Sequence, residues 1–167
     1  MRPAQYLDEL VLPAIADFEA APDSIRHAYA ACMFAWHFAD AVKVDRGECL
    51  EEIRKAIEAC AADAASLSAA GRNPVRIIEG VATLAKHLEV TRHKRAFRPT
   101  SQDTHVGNEA AFTDGTYWSD GTSWSDARPV VRTRDESGNP IDMRWCVRET
   151  RCAIVAYSAS RPELSVA

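Results

Sequence analysis

The segment Ala31-Cys-Met-Phe-Ala-Trp-His-Phe-Ala39 restricts the fold more than any other part of the chain. As a helix it is apolar on every side, and a helix without a polar face belongs at the centre of a bundle. Asp23 or Ser24 is placed to cap this helix, which runs to about Val44, and Asp45-Arg46-Gly47 closes it. The apolar stretch from Ala28 to Phe38 is too short to span a bilayer and is flanked by Arg26, His27 and Asp40. Its neighbours must therefore be other parts of the protein.

Those neighbours are legible as helices. Before it, Pro3 opens a helix whose Leu7, Leu10, Val11, Ala14 and Phe18 recur at helical spacing. Pro13 is expected to kink this helix, because its ring meets the carbonyl of Glu9. A third helix is predicted from about Glu48 to Ala69. Leu50, Ile53, Ile57, Cys60, Ala64 and Leu67 form one stripe, and Glu51 and Lys55 make a favourable pair on the other side. Asn73-Pro74 caps a fourth helix with Ile77, Ile78, Val81, Leu84, Ala85 and Leu88 on its apolar side, ending near Thr91. Four helices with short links predict an antiparallel bundle over residues 1–95.

Beyond residue 95 the pattern changes. Residues 96–127 lose helical periodicity and gain Gly, Ser, Thr and Asp, which reads as a Gly/Trp-rich loop. Within it, Asp114-Gly-Thr-Tyr-Trp-Ser-Asp120 is followed by the similar Asp120-Gly-Thr-Ser-Trp-Ser-Asp126. Two copies are too few for a solenoid. Residues 128–159 read as a hairpin, Arg128 to Arg134 and Pro140 to Arg144, then a fifth helix from about Trp145 to Ala159 with Cys146, Val147, Thr150, Ile154 and Tyr157 inward. From Arg161-Pro162 onward a frayed tail is expected. The fold class predicted is mainly α: a four-helix bundle with a small C-terminal β-hairpin and a fifth helix, in one domain.

At 167 residues with 47% hydrophobic residues, such a domain can bury a core without metal or disulfide. The five cysteines are odd in number and none has C-x-x-C spacing, so they read as reduced thiols. Asp8 and Glu9 interrupt the start of the chain, which argues against a secretory signal. A cytoplasmic protein with no membrane role is the expectation. No glycine-rich phosphate loop, dinucleotide fingerprint, nucleophile elbow or His-Glu-x-x-His is present, and no cofactor is expected.

Three constellations could carry chemistry. The net charge of −4 excludes polyanion binding by bulk charge, but Lys86, His87, Arg92, His93, Lys94, Arg95 and Arg98 form a local basic run. Cations at a helix C-terminus are favoured by its dipole. Lys86, Arg92, Lys94 and Arg95 could equally contact phosphates, with Phe97, Phe112, Tyr117, Trp118 and Trp124 available to stack on bases. On the second helix, His37 and Asp40 share a face, and with His87 of the fourth they are candidate metal ligands. The opposing reading is that His37 bonds Asp40 and fills the structure. Glu79 is the acid on the fourth helix best placed to join a metal site, and its facing is open. The third constellation is Arg98, followed by six residues and then His105. Histidine exchanges a proton near neutral pH, and arginine stabilises charge developing on phosphate.

A helical bundle carrying this Arg-x(6)-His spacing resembles the HEPN superfamily. The resemblance implies metal-independent RNA cleavage across a dimer interface, with His105 as the proton-transfer residue and Arg98 as the phosphate clamp. Pro99 departs from that pattern, because it disfavours helix at Arg98. Over most of its length the chain also looks like a group of small uncharacterised bacterial and prophage-associated proteins. Tyr6-Leu-Asp-Glu-Leu-Val-Leu-Pro13, Asp17-Phe-Glu19, Ile25-Arg-His-Ala-Tyr-Ala30, His37-Phe-Ala-Asp40 and Ala85-Lys-His-Leu88 carry that likeness. It implies an N-terminal helical bundle encoded on or near mobile elements, and no activity.

Three functions remain: a non-catalytic helical interaction module that binds a protein partner or itself, a HEPN-like ribonuclease or RNA-binding protein, and a small-molecule or metal-binding bundle.

Overall fold

A computed structural model of the chain describes residues 1–62, 73–87, 104–108, 129–134 and 140–164. The described part is mainly helical with a small antiparallel sheet. The helices are α1 (Pro3–Tyr6), α2 (Leu12–Ala20), α3 (Ile25–Arg46), α4 (Leu50–Cys60), α5 (Pro74–His87) and α6 (Met143–Ala159). The strands are β1 (His105–Asn108), β2 (Pro129–Arg134) and β3 (Pro140–Asp142). None of the described helices is long and apolar enough to cross a membrane.

The kink expected at Pro13 takes a definite form. Between α1 and α2, Leu7–Val11 winds as a π-helix, and the Leu12 N–H bonds the Leu7 carbonyl five residues back. Proline supplies no N–H and its ring crowds the carbonyl of Glu9. A wider turn just ahead of it relieves that crowding.

α3 is the hub, packing against α1, the π-turn, α2, α4, α5 and α6. The Ser24 hydroxyl accepts from the His27 N–H at 3.3 Å to start it. Gly47 ends it in the left-handed region at φ 69°, where a side chain would be strained. Its buried side is mostly small, with Ala28, Ala31, Cys32, Ala35 and Ala39 beside Phe38 and Val42. Small residues let neighbouring helices approach closely. The helix is not enclosed on every side, as its composition implies. Tyr29, Ala30, Met33, Phe34, His37 and Ala41 are half-buried, and Val44 is 83% exposed.

α4 and α5 contribute Ile53 and Ile57, and Val75, Ile77, Ile78, Val81, Ala82 and Leu84, to the interior. The expected stripe on α4 shifts at its end. The helix breaks at Ala61, which is buried, and leaves Cys60 exposed. The reading of that helix to Ala69 lies outside the described residues. Asn73 caps α5 as anticipated, its Oδ1 accepting from the Val75 N–H at 3.0 Å. Its Nδ2 donates to the Glu58 carbonyl at 3.0 Å and so ties α5 back to α4.

The C-terminal part departs further from expectation. The hairpin gains a third strand, because β1 pairs antiparallel with β2, His105 opposite Arg132 and Asn108 opposite Pro129. This strand falls in the segment read as loop, where four residues are too few to show a period. The sheet order is β1-β2-β3, and the Val131 N–H donates to the Pro22 carbonyl at 2.8 Å, fastening the sheet beside the α2–α3 link. β3 stops at Asp142, two residues before the expected Arg144, because Asp142 caps α6. Its Oδ1 accepts from the N–H groups of Arg144 at 2.8 Å and Trp145 at 3.4 Å. α6 buries Cys146, Val147, Thr150, Ile154 and Tyr157 as predicted, and it packs against α2, α3, α4 and α5 as a full member of the core. The tail is anchored through Leu164, which is buried in a 3-10 turn, Pro162–Leu164. Leucine burial and the contacts of Arg161 described below hold a segment whose sequence alone suggests fraying.

Asp142→Ala is expected to destabilise the protein by about 1 kcal/mol in urea unfolding, whereas Asp142→Asn, which keeps a capping oxygen, should cost much less.

Candidate functional site

The first turn of interest is the middle of α3, where His37 and Asp40 lie three residues apart on one face. The His37 Nδ1 and Asp40 Oδ2 are 2.7 Å apart, as expected from the sequence. A cation completes the arrangement. Arg54 of α4 brings Nη2 to 3.7 Å from the same Asp40 oxygen, and its guanidinium lies over the Trp36 ring at 4.0 Å. Stacking on indole suits the planar, weakly hydrated guanidinium. Tyr6, positioned by the turn before the π-helix, packs edge-on to Phe34 with centroids 6.5 Å apart. Burial pushes the Tyr6 hydroxyl above its usual range, and the Asp40 charge adds to that shift. Tyr6, Trp36, His37, Asp40 and Arg54 thus form one charged and aromatic cluster across α1, α3 and α4.

Chemically, the cluster is an aspartate shared between an imidazole and a guanidinium. Among the described residues no group of three or more His, Cys, Asp and Glu side chains is placed to hold a metal. His87, the third ligand considered, is the last residue of α5, and its side chain lies outside what is described, as does that of Lys86. Glu79 is buried at 6% exposure and receives Arg76 Nη1 at 3.2 Å. Arg76 also reaches Glu58 at 2.9 Å, so this acid belongs to a bridge between α4 and α5.

Of the residues suggested by the HEPN resemblance, His105 opens β1, while Arg98 lies outside the described residues, together with Arg92, Lys94 and Arg95. In register, His105 stands across from Arg132 of β2, and Arg132 stands across from Asp142 of β3. Directly opposed residues in an antiparallel sheet share a face, so the three form one row. Arg132 is the arginine that sequence spacing could not associate with His105, because the pairing depends on strand register.

No known protein family, curated protein or solved structure matches this chain.

A second ionic centre sits at the C-terminus. Arg161 donates to Glu48 at 2.5 and 3.2 Å, to Glu163 at 2.5 Å and to the Tyr157 hydroxyl at 3.0 Å. Arg46 donates to the Glu163 carbonyl. Hydrogen bonds from Arg161 hold the carboxyls of Glu48 and Glu163 below their ordinary range. Beside this network, Arg2, Pro3, Asp45, Arg46, Glu163 and Leu164 line an open polar cleft of about 410 Å³ where the two ends of the chain meet. Sequence reasoning missed this centre because its partners are more than a hundred residues apart.

All five cysteines are free, with Cys32 and Cys146 buried, and burial raises both of these thiols far above the range in which a thiolate forms.

The depressed carboxyls set a pH dependence. A lowered folded-state pKa stabilises above the unfolded value of about 4.3, and that contribution is lost as the pH falls through the folded value. The melting-temperature gap between the native chain and Arg161→Met should therefore be open at neutral pH and close in acid, which thermal melts across the range will read.

Proposed function

We propose that the chain is a non-catalytic helical interaction module whose contact surface is the outward side of α3. The observation that carries this reading is the set of partly exposed residues on the helix that also builds the core. Arg26, Ala30, Met33, His37, Ala41 and Val44 follow at steps of three and four, so they lie along one ridge. Tyr6, Leu7, Tyr29 and Phe34 are partly buried apolar residues around it. Aromatic side chains and methionine are enriched at protein interfaces, where they bury large area at modest entropic cost. The His37–Asp40–Arg54 arrangement satisfies its charges locally, which suits a surface destined to be covered.

RNA cleavage or binding is the second reading, and the observation that favours it is Arg132 across from His105. An imidazole and a guanidinium on one sheet face have the chemistry for proton transfer and phosphate contact.

Val44 is 83% exposed, so Val44→Lys should change unfolding free energy by no more than about 0.5 kcal/mol, whereas Met33, half-buried against the core, should cost more as Met33→Lys. Both are expected to lower association with the protein partner retained by the native chain at least tenfold. Unchanged association in both variants would refute the assignment of this surface. Cleavage of structured RNA in EDTA by the native chain, abolished in His105→Ala, would replace the module reading with the second one.

A further inference from the structure

We propose that the interior between α3, α4, α5 and α6 binds one water molecule, hydrogen-bonded to the hydroxyl of Thr150. The site is a cavity of about 10 Å³ lined by Ala35 and Ala39 of α3, Ile57 of α4, Ile78 of α5 and Thr150 of α6. That is the space of a single water. Trp36 and Arg54 complete the wall. The site lies inside the bundle and does not depend on what the outward side of α3 contacts.

The cavity exists because α3 is built of small residues. At positions 35 and 39 the side chains stop at Cβ, while the helices around them carry branched side chains that cannot reach further in. A wholly apolar space of this kind stays dry. This one is not wholly apolar. Of the residues that line it, Thr150 alone carries a hydroxyl. Thr150 is 1% exposed, and its Oγ1 has no hydrogen-bond partner among the described residues.

A threonine in a helix ordinarily escapes that situation by bonding the carbonyl four residues back. Thr83 of α5 does so, its hydroxyl donating to the Glu79 carbonyl at 2.8 Å. Thr150 makes no such bond to the Cys146 carbonyl. A buried hydroxyl without a partner is costly, and valine would fill the same volume without that cost. A water in the adjoining cavity removes the cost and gives threonine the advantage at this position.

A buried water needs two to four polar partners. The Thr150 hydroxyl is one, donating to the water oxygen. Arg54 is the second. Its guanidinium carries five N–H donors and is held at this wall by Asp40, 3.7 Å from Nη2, and by the Trp36 ring at 4.0 Å. The water in turn donates to a helix carbonyl, which has a second lone pair beyond its helical bond. So placed, the water joins α6 to the Arg54–Asp40–His37 cluster and steadies the guanidinium over Trp36.

The test counts long-lived waters by oxygen-17 relaxation dispersion, which reads water oxygen and is blind to the hydroxyl itself. The native chain, Thr150→Val and Thr150→Ser are compared, with circular dichroism to confirm folding. The native chain should hold one more long-lived water than Thr150→Val, which keeps the shape and loses the hydroxyl. Thr150→Ser, which keeps the hydroxyl, should retain the water. Thermal melts supply an independent sign. A water-bonded hydroxyl makes Thr150→Val melt about 2–4 °C lower than the native chain, whereas an unpartnered one makes it melt higher. Equal water counts in all three proteins, loss of the water from Thr150→Ser as well, or a rise in Tm for Thr150→Val overturns the proposal. Should Thr150→Val fail to fold, a crystal structure of the native chain decides. An ordered oxygen in this cavity within hydrogen-bond distance of Thr150 Oγ1 supports the site, and a hydroxyl turned onto the Cys146 carbonyl with no such oxygen overturns it.

Discussion

One constraint organises this molecule: α3 has too little polar surface to stand in water, so the remaining elements must cover it. Burying a residue such as Phe38 or Val42 is worth roughly 1.5–3 kcal/mol, and α3 supplies several such residues along 22 positions. Six other described segments satisfy this demand, from both sides of it in the chain. α2 and α5 bring Phe18, Ile77 and Ile78 against the core, and α6 returns more than a hundred residues later with Ile154 and Tyr157. Covering the central helix is what brings the two termini together, where Arg2, Arg46 and Glu163 share a cleft.

Polar groups then decide how the covering elements are fixed in place. Each junction is held by a side chain that reaches across a sequence gap. Asn73 bonds the Glu58 carbonyl, Arg76 bridges Glu58 and Glu79, and Arg161 joins Glu48 to Glu163. Exposed ion pairs contribute little to stability individually. Their use here is geometric: they select one arrangement of helices whose apolar faces could pack in several ways. The same logic applies to Asp142, which ends β3 and starts α6 with one carboxylate, so that no connecting loop is needed.

Helices were legible wherever a period repeated several times, and caps were legible wherever the capping residue acts locally. Ser24, Asn73 and Gly47 are of this kind, and so is the distortion forced by Pro13. The inward set on α6 also followed from spacing. What could not be read depends on long-range partners. β1 is four residues long, too short for alternation to be seen, and exists because β2 is available to pair with it. The tail from Arg161 is polar in composition and is anchored by Glu48, a partner that no local pattern reveals. His37 and Asp40 were visible as neighbours because they share a helix, but Arg54 was not, because its approach depends on how α4 packs. That His105 stands across from Arg132 is likewise a property of register.

The two sides of α3 explain why the fold and the proposed function can be separated. Its inward side is made of small residues in close contact, where a changed volume is felt by several helices at once. Its outward side carries Met33, His37, Ala41 and Val44, which contribute less to the core and are correspondingly free to specify a contact. Folding therefore covers only part of a sequence that is apolar all round, and the part left exposed is the surface proposed above for association. Composition alone merges them, because methionine and alanine look the same facing a core or facing a partner. Only the arrangement of neighbours tells which residues of the run have already been covered and which are left in part exposed.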